Sequence, residues 1–413
     1  MSRPTPQTML LVGGGIGGLA AALACGRSGR FASGGQGVHL LEQAAAFGEV
    51  GAGVQLGPNV TRLLHGWGLQ QGLAQHAAFP ERLEVRGAIS SRLLASLPLG
   101  ASLQARYGAP YATIARRDLH ALLRQGVEAL GGVRMELGTR VASAAPAGEQ
   151  MLVHTLDGRD LQADCVVGAD GVWSPLRRQM VGDGAPRVTG HLAYRAMVPQ
   201  SALPQALRSQ VVTAWLGPQF HAVQYPVRGG DWLNLVVIVR GSVAGDPSAW
   251  DHSANAGELR ARLANAGSGL LDVVHAVDDW RLWALCDRAP VRGPQEMAVG
   301  RMALVGDAAH PMRPYLAQGA GMALEDAHQL SQSLLAHGAN TVAGLADYAA
   351  ARWQRCARVQ KRAMRNGDVF HLQGPLRVAR DASLGLLGSR LLDMPWLYGY
   401  RASTDASVKQ GIE

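Results

Sequence analysis

The chain has 413 residues, 47% apolar and 17% charged, with mean hydropathy +0.02, which excludes a disordered chain and a bundle of membrane spans. Its 52 glycines follow no three-residue period, so collagen-like and low-complexity sequence are excluded too. The formal net charge of +8 is almost all guanidinium, the only lysines being Lys361 and Lys409, and admits anionic partners such as nucleic acid, dinucleotides and organic acids without choosing among them.

At about 100 to 200 residues per domain the length predicts two or three domains. Cys25, Cys165, Cys286 and Cys356 form no CxxC pair, which argues against a disulfide framework, a zinc ribbon or a dithiol site, and makes a reducing, cytoplasmic setting the expectation. The apolar stretch Met9–Cys25 is interrupted by five glycines between Gly13 and Gly18 and is short of the roughly 20 residues of a membrane span.

MLLV, Met9 to Val12, reads as a strand that breaks into GGGIGG and resumes as the helix-forming LAAALACG. VHLLE, Val38 to Glu42, is a second strand, and strand, helix, strand requires a parallel pair. Arg116 to Leu130 has helical spacing, followed by the strand candidates VRMEL and MLVHT. DCVVGADG and RMALVGDAAHP each end a hydrophobic strand in a small-residue turn carrying an Asp, so three strand ends converge. From about Gly190 to Leu285, AYRAMVP, VVTAWL, FHAVQYPV and WLNLVVIVR alternate with turn signals and predict an inserted, mostly antiparallel sheet. Two helices are predicted beyond Gly321, over 322–336 and 345–365.

Gly13, Gly15 and Gly18 fit G-x-G-x-x-G between a strand and a helix, where a pyrophosphate must approach backbone N–H groups that any Cβ would shield. A tight strand-to-helix turn has the same look. Glu42 sharpens the dinucleotide reading as an acceptor for ribose hydroxyls, although it lies 24 positions past Gly18 against about 20 in the usual pattern. The surplus falls in the SGRFASGGQG loop. GADGVWSPLR and VGDAAHP, each alone, read equally as strand ends with a helix-capping Asp.

Taken together and in order, GGGIGG, LLEQ, RRDLH, GADG, GDAAHP and QGAGMALEDA resemble the class A flavoprotein monooxygenases, the aromatic hydroxylases acting on 4-hydroxybenzoate, 3-hydroxybenzoate, salicylate and 6-hydroxynicotinate. The motifs span nearly the whole chain. The resemblance implies FAD on the parallel sheet, with Gly13, Gly15, Gly18 and Glu42 on its ADP half and Arg116 near the adenosine and pyrophosphate. It also implies Asp170 in a motif serving FAD and the nicotinamide donor, Asp307 on the ribityl chain and Pro311 by the flavin ring. Gly319, Ala320, Gly321 and Met322 belong to a segment whose helix N-terminus, through the N–H groups of Gly321 and Met322, suits the negative charge of a reduced flavin. No second G-x-G-x-x-G in a strand-turn-helix context follows the first, which fits NADH or NADPH as a transient visitor and argues against a disulfide reductase.

In the inserted sheet, His221 and Tyr225 stand at i and i+4 of one strand and share a face. A lone histidine in such a run is commonly structural, but this stretch resembles the H-x-x-Q-Y-P segment of the 3-hydroxybenzoate 6-hydroxylases, in which the histidine deprotonates the substrate phenol and the tyrosine positions it. HPMRPYLAQG departs from that group, with Pro314 where a Gln usually precedes the Tyr, and HPMRP looks more like the 6-hydroxynicotinate enzymes. Arg313 then faces either a carboxylate or solvent. The stripe Arg352, Arg355, Arg358, Lys361, Arg362 and Arg365 reads as a solvated helix face, not a nucleic-acid reader, since neither aromatic interleaving nor a DNA-binding motif accompanies it.

The expectation is an α/β chain with a discontinuous Rossmann-like FAD-binding domain over 1–75, 106–185 and 290–345. A substrate-binding sheet spans 76–105 and 186–289, and a helical segment 346–413. The activity implied is hydroxylation of a small phenolic acid resembling 3-hydroxybenzoate, with NAD(P)H and O₂, through a flavin C4a-hydroperoxide. The alternatives are a 6-hydroxynicotinate or decarboxylating salicylate hydroxylase, or a flavin or NAD oxidoreductase that does not oxygenate; a homodimer with no membrane span and no metal completes the picture. A flavin-free Rossmann dehydrogenase and a non-catalytic flavin binder are the rival classes.

Overall fold

The computed structural model describes residues 7–31, 37–48, 52–243, 245–249, 252 and 254–402. Part of the SGRFASGGQG loop, at 32–36, lies outside them. Six strands form the first sheet, in the order Ala298–Val299, Met302–Leu304, Cys165–Gly168, Met9–Val12, Val38–Leu41 and Val133–Glu136. All but the Ala298–Val299 edge run parallel. MLLV and CVVG are buried at every residue, as strands covered on both faces must be. The helix Ile16–Arg27 is built from small and aliphatic residues and is buried from Gly18 to Cys25. Its tight seat shows at Gly26, where an added Cβ would meet Leu130 and Val133 at 2.9 Å.

A second sheet runs Arg281–Asp287, Arg187–Pro199, Trp232–Arg240, Phe220–Val227, Val212–Gly217, Arg82–Gly87 and Leu93–Pro98. Its pairs are antiparallel except Val212–Gly217 with Arg82–Gly87. Period-two alternation divides its faces. Phe220, Ala222, Leu233, Leu235, Val237 and Val239 share a core with Leu259, Leu263, Leu270 and Val273 from the helical region 256–275. The opposite face carries His221, Val223, Tyr225, Ile238, Ala193 and Arg195, with His221 level with Ile238 and Ala193, and Val223 level with Val236 and Arg195. A ribbon of Gly53–Leu56 with Ala112–Ala115 meets that face, and a three-stranded sheet of Val141–Ala147, Gln150–Thr155 and Asp160–Ala163 stands apart.

The C-terminal helices are longer than their spacing predicts, Gly319–Ala336 and Thr341–Phe370, and Gly374–Leu387 adds a third. Among the described residues no helix is long and apolar enough to cross a membrane. The arginine stripe on Thr341–Phe370 is a correction. Arg352 is fully buried, with its guanidinium 2.8 Å from both Glu325 and Asp326, and Arg355 grips Glu325 at 2.6 Å. The acids that claim them lie on the preceding antiparallel helix, where a single-helix projection does not see them. Arg358 is exposed and stacks 4.3 Å from the Trp396 ring.

Candidate active site

The parallel sheet brings three turns side by side, because Val12 pairs with Gly168 and Gly168 with Leu304 at the carboxyl ends of adjacent strands. The chain leaves Met9–Val12 for Val38–Leu41 on one side and returns on the other as Cys165–Gly168, so a crevice opens between them at the topological switch point. The glycines there differ in what they serve. Gly13 has φ +107°, and a Cβ on it would land on the Ala169 carbonyl; one on Gly18 would land on the Gly13 carbonyl. At Gly15 nothing lies within 4 Å of such a Cβ, so the space is left open for something outside the chain. The first intrahelical bond runs from Leu19 N–H to Gly15 C=O at 3.0 Å, leaving the preceding N–H groups facing that space. Glu42 accepts from Gly14 N–H at 2.6 Å and from Ala44 N–H at 2.8 Å. It therefore fixes the glycine loop while keeping lone pairs for a ribose.

Asp170 follows the second strand end. Its Oδ2 accepts from Leu176 N–H at 3.4 Å while its buried Oδ1 has no partner among the described residues. Burial pushes this carboxyl up to about 6, against the opposing Ser174 hydroxyl and backbone donors. After the third strand end, Asp307 is exposed, and its Oδ1 lies 4.0 Å from where a Cβ on Gly319 would stand, at the mouth of the helix Gly319–Ala336. Met322 N–H bonds to Gln318 C=O at 2.8 Å, so the unspent donors are those of Gly319, Ala320 and Gly321. This corrects the assignment of a free donor to Met322, since the helix starts earlier than its apolar spacing predicts. Pro311 is buried, and its carbonyl accepts from Gln360 at 3.1 Å. Arg116 opens the helix Arg116–Leu130, with its N–H on the Ala52 carbonyl at 2.7 Å.

The loop carrying Asp307 is braced from below. His310, fully buried, bonds Asp326 at 2.5 Å, and Asp326 also accepts from Gly306 N–H at 2.9 Å. Burial opposes a charge on His310, and the neighbouring Cys356 and Asp326 outweigh it, so its pKa lies well above the usual histidine value. Arg177, 2% exposed, donates to the Ala308 and Ala309 carbonyls.

The second sheet meets the loop after Pro311, where its Ala193 and Ile238 pack on Tyr315. His221 is 2% exposed and its Nδ1 lies 2.8 Å from His371 Nε2. The rings of Tyr315 and Phe370 stand edge-on at 5.0 and 5.3 Å. Burial, then the nearby His371 and His191, hold its pKa well below 6.5, so His221 is a neutral base with one nitrogen committed to a neighbouring histidine. Tyr315 presents a buried hydroxyl that has no partner among the described residues. Tyr225 shares the strand face but meets a different neighbourhood. A Cβ on Gly53 would come within 2.5 Å of its ring, and Asn234 Oδ1, beside it, accepts Gly53 N–H at 2.6 Å. Arg195 lies on the same face with its guanidinium 4.9 Å from the Trp283 ring and a buried Nε without a partner among the described residues. Burial and the like charge of Arg116 lower it to about 10, Tyr225 opposing, so it stays cationic at neutral pH. Arg313 is not turned to solvent: it pairs with Asp287 at 2.7 Å, which Arg187 also holds.

The FAD binding domain family matches residues 7–363. The chain belongs to that family. It is 35% identical over 401 residues to a 3-hydroxybenzoate 6-hydroxylase of Polaromonas naphthalenivorans, covering 96% of this chain and 97% of that one. It is 37% identical over 394 residues to a 3-amino-4-hydroxybenzoate 2-monooxygenase of Streptomyces platensis, covering 95% and 96%. Among solved structures, a salicylate hydroxylase substrate complex superposes with TM-score 0.79 at 27% identity over 97% of each chain. The fold also matches Klebsiella pneumoniae HpxO complexed with FAD and uric acid, TM-score 0.79 at 23% identity over 93% and 94%. The chain is thus an FAD-dependent enzyme of monooxygenase kind. Its crevice suits the cofactor: an open approach at Gly15, unspent N–H groups at two helix ends, and an orphaned carboxylate oxygen at Asp170.

Sequence reasoning missed His371, Arg195, His120 and Asn234. His120 lies 2.8 Å from the Gly14 carbonyl and stacks edge-on with Phe47, holding the glycine loop from the helix of RRDLH. Arg195 had a signal, a charge at an inward position of the apolar strand AYRAMVP. His371 had none, being 150 residues from His221.

Proposed function

We propose that this chain hydroxylates a small phenolic acid of the 3-hydroxybenzoate type, with NADH or NADPH and O₂ as co-substrates. The observation that carries the proposal is the pairing, on one buried sheet face, of a neutral histidine, His221, with the Arg195 cation, whose buried Nε has no hydrogen-bond partner among the described residues. Such a pair suits a ligand that brings a phenolic proton at one end and a carboxylate at the other. When bound and reduced, the flavin supplies an electrophilic oxygen atom taken from O₂. The protein's part is to make the ring a good nucleophile and to keep water out. His221 Nε2 takes the phenol proton, Tyr315 and Tyr225 orient the ring, and Arg195 donates to the carboxylate. Deprotonation raises electron density ortho and para to the oxygen, and position 6 of 3-hydroxybenzoate is para. The Polaromonas relative, named a 3-hydroxybenzoate 6-hydroxylase, supports this substrate.

The test is stimulated NADH and NADPH oxidation by the FAD-loaded protein with 3-hydroxybenzoate, 3-amino-4-hydroxybenzoate, salicylate and 6-hydroxynicotinate, with product analysis. Coupled formation of the 6-hydroxylated product from 3-hydroxybenzoate is expected. Coupled turnover of another of these acids, and not of 3-hydroxybenzoate, would overturn the substrate.

A further inference from the structure

His221 Nδ1 meets His371 Nε2 at 2.8 Å, and between two neutral imidazoles one ring must donate and the other accept. If Nε2 of His221 is to accept a phenol proton, its own proton must sit on Nδ1, and that N–H then points at a bare His371 Nε2. His371 carries its remaining proton on Nδ1. It caps the long helix Thr341–Phe370, where its carbonyl also accepts Gln219 N–H at 3.3 Å, tying it to the turn before His221. His191, from the strand Arg187–Pro199 two places over in the sheet, places its ring 5.3 Å from His371, and its Nδ1 is buried without a partner among the described residues.

We propose that His371 is a positioning and relay residue for His221: it fixes the tautomer that leaves Nε2 bare and passes the substrate's proton on to water. In one concerted transfer the phenol O–H breaks as His221 Nε2–H forms, and His221 Nδ1–H breaks as His371 Nε2–H forms. His371 then returns to neutrality by losing its Nδ1 proton to water. His221 ends neutral and the substrate ends as phenolate, so one proton has crossed the pair and no electrons have been transferred.

The surroundings make His371 a conduit in which a proton does not rest. His191 lies beside it, and the guanidiniums of Arg240, Arg380 and Arg313 approach from the end of one strand, the helix Gly374–Leu387 and the loop after Pro311; with burial as the largest cause, they push its pKa down to about 3. Asp287, the acid ending the edge strand Arg281–Asp287, is engaged by Arg187 and Arg313, and Tyr315 faces His371 edge-on at 5.9 Å. A charge placed on His371 is therefore expelled.

The proposal rests on His221 being the base, and the experiment separates the two. FAD-loaded wild type, His371→Ala, His371→Gln and His221→Ala are mixed with 3-hydroxybenzoate, and phenolate formation in the bound ligand is followed by stopped-flow absorbance. Gln can accept the His221 Nδ1–H bond and keep the tautomer, but it cannot carry a proton. Phenolate formation should be roughly ten- to a hundredfold slower in both His371 variants, less than the loss for a general base itself. Added imidazole should restore it in His371→Ala alone. A wild-type rate in His371→Ala overturns the proposal, as does a wild-type rate in His371→Gln, which would leave His371 a tautomer anchor only. If His371→Ala fails to hold FAD, His371→Gln decides. Undiminished phenolate formation in His221→Ala removes the base, and the relay with it; a slow His221→Ala beside fast His371 variants removes the relay alone.

Discussion

Gly15→Ala separates binding of FAD from folding of the loop that binds it. Gly15 has φ −71° and ψ −174°, a conformation alanine adopts freely, and no atom stands within 4 Å of the added Cβ. The apo protein should therefore lose nothing, and should gain about 0.4 to 1 kcal/mol from the stiffer unfolded chain. The methyl group projects where a pyrophosphate must approach the N–H groups ahead of Leu19. Losing one hydrogen bond to a charged group costs about 1.5 to 3 kcal/mol, and at about 1.4 kcal/mol per decade FAD should bind about 10- to 150-fold more weakly. Titrating apo protein with FAD by fluorescence quenching measures the second quantity, and thermal unfolding of the apo protein the first. Gly18→Ala is the contrast, since its Cβ would strike the Gly13 carbonyl and should unfold the apo protein itself more easily. Unchanged FAD affinity in Gly15→Ala, or an apo protein as weakened as Gly18→Ala, would refute the division of labour among these glycines.

His221→Asn should lower hydroxylation by roughly 10² to 10⁴ while FAD is retained, with NADH consumption diverted to hydrogen peroxide. Because burial and two histidines hold His221 well below 6.5, wild-type hydroxylation should stay level as pH falls through that value; a descending limb centred there would contradict the assignment. Arg195→Met should raise the KM for the aromatic acid about 10- to 150-fold, the worth of one charged hydrogen bond, and an unchanged KM would place the carboxylate elsewhere. Arg352→Met should destabilise by about 3 to 5 kcal/mol, leaving Glu325 and Asp326 buried without that cation, whereas Arg358→Ala should cost about 0.5 to 1 kcal/mol for its stacking on Trp396; urea unfolding compares them. Stability should also fall with acid. His221 and His371 have folded pKa values below the unfolded value of about 6.5, so below that pH the unfolded chain binds protons the folded one refuses, at up to about 1.4 kcal/mol per pH unit for each. Asp170, raised to about 6, opposes this as pH falls through 6, and His310, charged in both states there, adds no slope. Urea unfolding at successive pH values should show a shallower decline in His371→Gln, and equal slopes would refute the account.

The FAD side of this fold is legible in the sequence because its chemistry is written in backbone. MLLV, the glycine turn and the helix Arg116–Leu130 fall where their patterns predict, since an approach to N–H groups demands glycine at fixed spacing whatever the surroundings. The convergence of the three Asp- or Gly-bearing turns follows from strand pairing that right-handed crossovers enforce. What fails is the side-chain neighbourhood. Arg352 reads as solvated because Glu325 and Asp326 are invisible to one-helix periodicity, and Met322 reads as a donor because helix starts are set by where the chain turns, at Gln318, and not by the apolar stripe.

The same distinction bears on why the substrate is harder to read than the cofactor. The residues around His221 come from three distant segments, His191, Tyr315 and Phe370–His371, none closer to it in sequence than 30 positions. Only folding assembles them, and no spacing rule constrains their types. Relatives near 35% identity can therefore keep one cradle while their names record different ring positions, 6 for the Polaromonas enzyme and 2 for the Streptomyces one. On the proposed reading, the separation along this sheet face between the Arg195 cation and the His221 base sets which ring carbon is hydroxylated.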